Sequence, residues 1–192
     1  MRWELGEGKI RVTLLKFALP FLFSSFLQAL YGAADLFIVG RFSGSEAVAA
    51  VAIGSQLMQT ITGIILGISM GSTVLIARKI GEKDDASAGR AVGTTTLLFF
   101  LLALCLTPLM YVISEDLVLF METPPAAISD TLVYLTICAC GIPFIIGYNA
   151  VSGIFRGIGD SRSPMYFIAL ACLINFLLDY VFTGTWGIGT AG

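Results

Sequence analysis

The sequence contains no histidine. That absence removes imidazole metal sites, Ser-His and Cys-His catalysis, and histidine proton relays. Charge is also scarce: 12% of residues are Asp, Glu, Lys or Arg, against 57% hydrophobic. Soluble domains carry about 25% charged residues, and half of that cannot coat a water-exposed surface. The loops hold no nucleophile–base constellation, which makes an enzyme the least expected class. GIGD at 157–160 contains G-x-G without the rest of a nucleotide fingerprint and reads as a turn. Eleven basic residues face thirteen acidic ones, and no basic patch marks a nucleic-acid partner. Cys105, Cys138, Cys140 and Cys172 all lie in apolar runs without a C-x-x-C, and read as small apolar filler.

What the sequence does have is long apolar runs. A membrane-crossing helix needs about 20 predominantly apolar residues. Such runs cover about residues 14–40, 47–77, 91–113, 131–154 and 165–183. The chain therefore reads as an all-α integral membrane protein, a single helical bundle of five transmembrane helices. Thr183–Gly192 is a glycine-rich lead-in to a sixth. The basic start and the first apolar run resemble a signal peptide. That run continues to Val39 with more spans behind it, so it is expected to stay as a span.

Between and within the spans several features stand out. Pro20 removes a backbone bond from the first helix and is expected to kink it. Ser24, Gln28, Tyr31 and Asp35 recur at helical spacing and form one polar stripe. Gly63, Gly67 and Gly71 form GxxxGxxxG, expected to pack against a neighbouring helix. Ala77–Arg90 reads as a solvated loop with some helix. Ser114, followed by Glu115 and Asp116, looks like a helix start. With Leu117, Phe120, Met121 and the Pro124-Pro125 stop, it predicts a short helix over 114–130 on the membrane surface. Pro143 between Gly141 and Gly147 suggests a bend in the fourth span.

Orientation follows from the basic residues. Assigning the links alternately to two sides puts Arg2, Lys9, Arg11, Lys16, Arg78, Lys79, Lys83, Arg90, Arg156 and Arg162 on one side. Only Arg41 falls on the other. The positive-inside rule makes the first side, and the N-terminus, cytoplasmic. The first and fifth spans then both run outward. Asp35 lies roughly 9 Å, and Asp179 roughly 8 Å, below the outer ends of their spans at 1.5 Å per residue.

An intramembrane carboxylate costs roughly 2.5–3.5 kcal/mol on insertion scales and needs a partner or a job. Asn175 precedes Asp179 by one helical turn, and Thr183 continues that face. If this face meets the stripe on the first helix, two carboxylates, an amide and a phenol enclose a pocket of oxygen donors. Such a pocket suits a small hard cation. It suits a proton equally, because adjacent buried carboxylates raise one another's pKa. The plainer alternative is a hydrogen-bonded cluster that only fixes helix packing.

These residues resemble the N-terminal half of the MATE (multidrug and toxic compound extrusion) transporters. The likeness starts at EGKIRVTLLKFALP and passes through LYGAADLFIVGR and ARKIGEKDDASAGRAVG. It ends on GIFRGIGDSRSPMYFIALACLINFLLDYVFTGTWGIGTAG. The resemblance implies a plasma-membrane antiporter built from two six-helix bundles. Such a protein exports cationic or amphipathic organic compounds against an inward flux of Na+ or H+, without a cofactor. In the archaeal and DinF-like branches a cation site uses a first-helix Asp and a fifth-helix Asn and Asp. Carried over by motif these are Asp35, Asn175 and Asp179, with Tyr31 and the kink-forming Pro20 at positions linked to that site. Gln28 and Thr183 are candidate cavity-lining residues. The family needs twelve helices, so the chain is expected to be a fragment or a truncated product that lacks its C-terminal bundle. Two other functions compete. A lipid-linked sugar flippase would need basic residues deep in the spans for a pyrophosphate head group, and none is evident. A non-transporting membrane subunit would use the aspartates structurally.

Overall fold

Each of the first four apolar runs lies inside a longer α-helix, and the fifth is α-helical as far as Asp179. In the computed structural model the backbone is described for residues 10–42 and 44–185, and side chains for 14–42, 44–178 and 180–182. The helices are α1 (Ile10–Phe42), α2 (Ser45–Gly81), α3 (Asp85–Phe120), α4 (Ile128–Gly157) and α5 (Arg162–Asp179). A 3-10 turn, Pro125–Ala127, leads into α4, and a π-helical segment, Tyr180–Thr185, follows α5. Among the described residues five helices are long and apolar enough to cross a membrane. The 37 residues of α2 span about 55 Å at 1.5 Å per residue. That exceeds a hydrocarbon core of about 30 Å, so α2 must tilt or project.

Three of the links stop their helix in the same way. After α2, Lys83 takes φ 58 and its amide donates to the Ile80 carbonyl, while the Asp84 amide donates to Lys79. After α3, Glu122 (φ 51) and Thr123 repeat these bonds to Leu119 and Val118. After α4, Gly159 (φ 89) and Asp160 repeat them to Arg156 and Phe155. This is the Schellman closure, which satisfies the last carbonyls by one left-handed residue. Only the third uses glycine. Lys83 and Glu122 each bear a steric cost of about 1 kcal/mol there. Lys83→Gly is therefore expected to stabilise the protein by up to about 1 kcal/mol. A thermal melt in detergent measures this, and an unchanged or lower midpoint contradicts it.

The expected loop over 77–90 thus contracts to Glu82–Asp84. Arg78 Nε and Lys79 Nζ bridge to Glu82 at 2.9 and 2.7 Å, and their hydrogen bonds hold its carboxyl below the ordinary range. Asp84 caps α3 by accepting from the Ser87 amide at 3.0 Å. The expected surface helix over 114–130 does not form. α3 runs through Ser114, whose hydroxyl donates to the Tyr111 carbonyl at 3.2 Å. A serine caps a helix only where the preceding one has ended, and no glycine or proline ends α3 before Met121.

The core lies among α2, α3 and α4. Met58, Ile65, Phe99, Met110, Val118, Leu135, Ile142 and Ile146 form one buried cluster. Two hydroxyls of α2 bond across to backbone carbonyls of α4: Ser69 Oγ to Asn149 (2.8 Å) and Thr73 Oγ1 to Gly153 (2.9 Å). A Cβ at Gly153 would collide with Ser69, and one at Gly157 would stand 2.9 Å from Ile76. The close approach therefore belongs to Gly153 and Gly157 on α4. Around Gly63, Gly67 and Gly71 a Cβ would meet nothing within 4 Å, so their expected packing role does not arise in this bundle. The inward stripe of α2 is Met58, Ile65, Ser69 and Ile76. Gly67 lies about 180° round the helix from it, at 100° per residue.

Candidate functional site

α1 and α5 run parallel and in contact. Cys172 Sγ lies 3.7 Å from the Leu27 carbonyl. Farther along both helices the rings of Phe42 and Tyr180 meet edge to face at 6.3 Å. Asp35, between Leu27 and Phe42, therefore falls opposite the stretch from Cys172 to Tyr180, which contains Asn175 and Asp179. Parallel spans are what two outward-running helices require.

Asp35 is half-buried. One turn farther along α1, Val39 packs in a small buried cluster with Ala47 and Val51 of α2, against which Tyr134 of α4 rests. Tyr134 is held from the far side: its hydroxyl shares a 2.9 Å hydrogen bond with Ser55 Oγ of α2. Its ring lies against Gly54, where a Cβ would collide with it. Nothing in the linear sequence marked Ser55 or Tyr134. The only cue was a phenol one turn before Cys138, and its importance depends on how α4 is rotated. Tyr134→Phe keeps the ring and strands the Ser55 hydroxyl. It is expected to cost about 1 kcal/mol, read as a lower melting midpoint with the helical circular-dichroism signal intact.

Asn175 supplies the clearest sign of an unfinished site. Its Oδ1 is buried and has no hydrogen-bond partner among the described residues. A buried amide oxygen left bare costs about 1–3 kcal/mol, which a bound cation or a donor would offset. Among the described residues no three His, Cys, Asp or Glu side chains converge, so any cation held here would rely on amide and phenol oxygens too. The side chains of Asp179 and Thr183 lie outside the described residues. The backbone changes to π-helical pitch directly after Asp179, and single π-turns often mark functional positions.

The other candidates are dispersed. Pro20 is buried, and α1 continues through it as helix. The Ser24 hydroxyl bonds back to the Pro20 carbonyl at 2.9 Å, a contact that tends to bend helices. Gln28 is exposed, and Tyr31 is 40% exposed.

One expectation is overturned. Arg156 is not confined to the loop after α4. Its guanidinium reaches back into the bundle, 3.4 Å from Ser69 Oγ and 5.5 Å above the ring of Phe21. Its Nε is buried without a partner. The flexible stem lets a basic group placed at a helix end reach inward, which the sequence position alone conceals.

A sequence profile of the MatE family matches residues 20–181. The chain belongs to the MATE family. It is 27% identical over 190 residues to the probable multidrug resistance protein YpnP of Bacillus subtilis (strain 168), covering 99% of this chain and 43% of that protein. The bundle also matches a MATE crystal structure in the bent conformation, with a TM-score of 0.89 at 27% identity. It matches one in the straight conformation at 0.87 and 27%. Each match covers 96% of this chain and 41% of the structure. The MATE chain described here thus spans about two-fifths of its relatives' length, over their N-terminal bundle. The near-equal scores assign it to neither conformation.

Proposed function

We propose that this chain is the N-terminal bundle of a Na+- or H+-coupled antiporter that exports cationic or amphipathic organic compounds across the plasma membrane. A second bundle completes the transport pathway, and the N-terminus is cytoplasmic. The observation behind this reading is the meeting of α1 and α5: half-buried Asp35 lies opposite the stretch holding Asn175, whose buried amide oxygen is bare. Asp35, Asn175 and Asp179 bind the coupling ion. Tyr31 and Tyr134 flank it, and Gln28 and Thr183 line the cavity.

Loading the ion removes buried negative charge from the α1–α5 contact. That change biases α1, which lacks a backbone bond at Pro20, between two shapes. α1 is suited to move because it contributes no residue to the main buried cluster. The test is efflux by the whole protein in vesicles, with Na+ and pH gradients imposed separately. Substrate movement independent of both gradients rejects coupling.

The flippase reading gains one specific observation. Arg156 places a cation inside the bundle, where sequence reasoning expected none. Transport of a lipid-linked pyrophosphate, lost in Arg156→Gln and unaffected by ion gradients, would favour it.

A further inference from the structure

Asp35 can meet α5 only if the outward arm of α1 is held at the correct tilt. The inner half of α1 has little to hold it. Over 14–30 only Pro20 and Ser24 are buried, while Leu14, Leu15, Leu19, Leu22 and Phe23 are exposed. A proline at position 20 loosens the helix over about 16–20, because it lacks the amide that would bond the carbonyl four residues back. Phe21 is the first residue of the arm beyond that stretch, and its ring rests against the Arg156 guanidinium at 5.5 Å. Arg156 in turn reaches Ser69 Oγ at 3.4 Å. It sits between Gly153 and Gly157, where α4 is pressed onto α2 and bonded to it through Ser69 and Thr73. The guanidinium thus joins a tightly built helix pair to a loosely held stretch of α1, one residue from the proline.

We propose that Arg156 is a positioning residue for the ion site: it pins Phe21 to the α2–α4 pair and so sets the tilt of the arm that bears Tyr31 and Asp35. The lever is long. Asp35 lies about 21 Å along the helix from Phe21 at 1.5 Å per residue, so a 10° change of tilt moves it about 4 Å. A displacement of that size separates oxygen ligands from a cation held at about 2.3–2.6 Å. Desolvation strengthens a cation–π contact, and arginine makes it better than lysine because its plane stacks on the ring.

This inference rests on the ion-site reading above, and the experiment separates the two. Phe21→Leu, Phe21→Tyr, Arg156→Gln, Arg156→Lys and the Phe21→Leu/Arg156→Gln double variant are made in the whole protein. Hydrogen exchange of α1 and the ion concentration for half-maximal transport are measured for each. Phe21→Leu and Arg156→Gln should each speed exchange over residues 21–35 about fivefold and raise the half-maximal ion concentration severalfold. Exchange in α2 and α4 should not change. Phe21→Tyr should behave as wild type, Arg156→Lys should fall between, and the double variant should be no worse than either single one.

Unchanged α1 exchange in both single variants overturns the proposal. So does loss of transport in Arg156→Gln with none in Phe21→Leu, because the guanidinium would then serve the cargo. General loss of protection, in α2 and α4 as well as α1, assigns Arg156 to folding alone and overturns it too. Should Asp35→Asn leave ion dependence unaltered while α1 exchange still responds to Arg156, the ion-site reading fails and the pin stands.

Discussion

Asp35→Asn in the whole protein should reduce ion-driven efflux to background, at least about tenfold, with membrane expression preserved. The substitution conserves shape and removes only the charge and the proton-accepting oxygen. If Asp35 merely fixed packing, an amide would hydrogen-bond as well or better, and at lower desolvation cost. If it carries the ion, the amide cannot exchange a proton and has lost the negative charge that draws a cation from water. Asp179→Asn should behave alike, because its backbone lies in the stretch facing Asp35. Near-normal efflux in both variants would defeat the coupling proposal, and the non-transporting subunit reading would then be preferred. The measurement is drug accumulation in cells lacking other exporters, with the variant quantified in the membrane.

The second large effect is structural. Gly153→Leu should prevent accumulation of folded protein, or lower stability by about 3 kcal/mol or more. A Cβ there already meets Ser69, and the Thr73 hydroxyl is within 3.3 Å. Larger atoms must force apart two helices joined by the Ser69 and Thr73 hydrogen bonds. Overpacking alone typically costs about 1–3 kcal/mol, and each broken interhelical bond adds about 0.6 kcal/mol in a membrane. Gly67→Ala is the control. Its Cβ meets nothing within 4 Å, so it should be tolerated and could gain a few tenths of a kcal/mol from helix propensity. Detergent melting of both variants decides: equal sensitivity at 67 and 153 would mean that the packing surface has been misassigned.

The two glycine motifs show where linear reading stops. GxxxGxxxG on α2 and G-x-x-x-G on α4 offer the same smooth face. Only the rotation of each helix about its axis, set by side chains such as Ile65, Ile142 and Ile146 in the shared core, decides which face is pressed into a neighbour. Ser114 failed as a helix start for a related reason. A cap residue acts only where the chain is already leaving the helix, and Glu122 rather than Ser114 is where it leaves.

The sequence by itself determined the number and order of the long apolar helices, because burial in lipid is a matter of composition and length. It also singled out Asp35 and Asn175, because polar groups are conspicuous where apolar ones are required. Tertiary structure alone decided that Tyr134 of α4 bonds to Ser55 of α2, that Gly153 and Gly157 make the close helix contact, and that Arg156 turns inward onto Phe21. Those facts depend on helix rotation and on the reach of long side chains across a bundle. Both emerge only when all five helices pack at once.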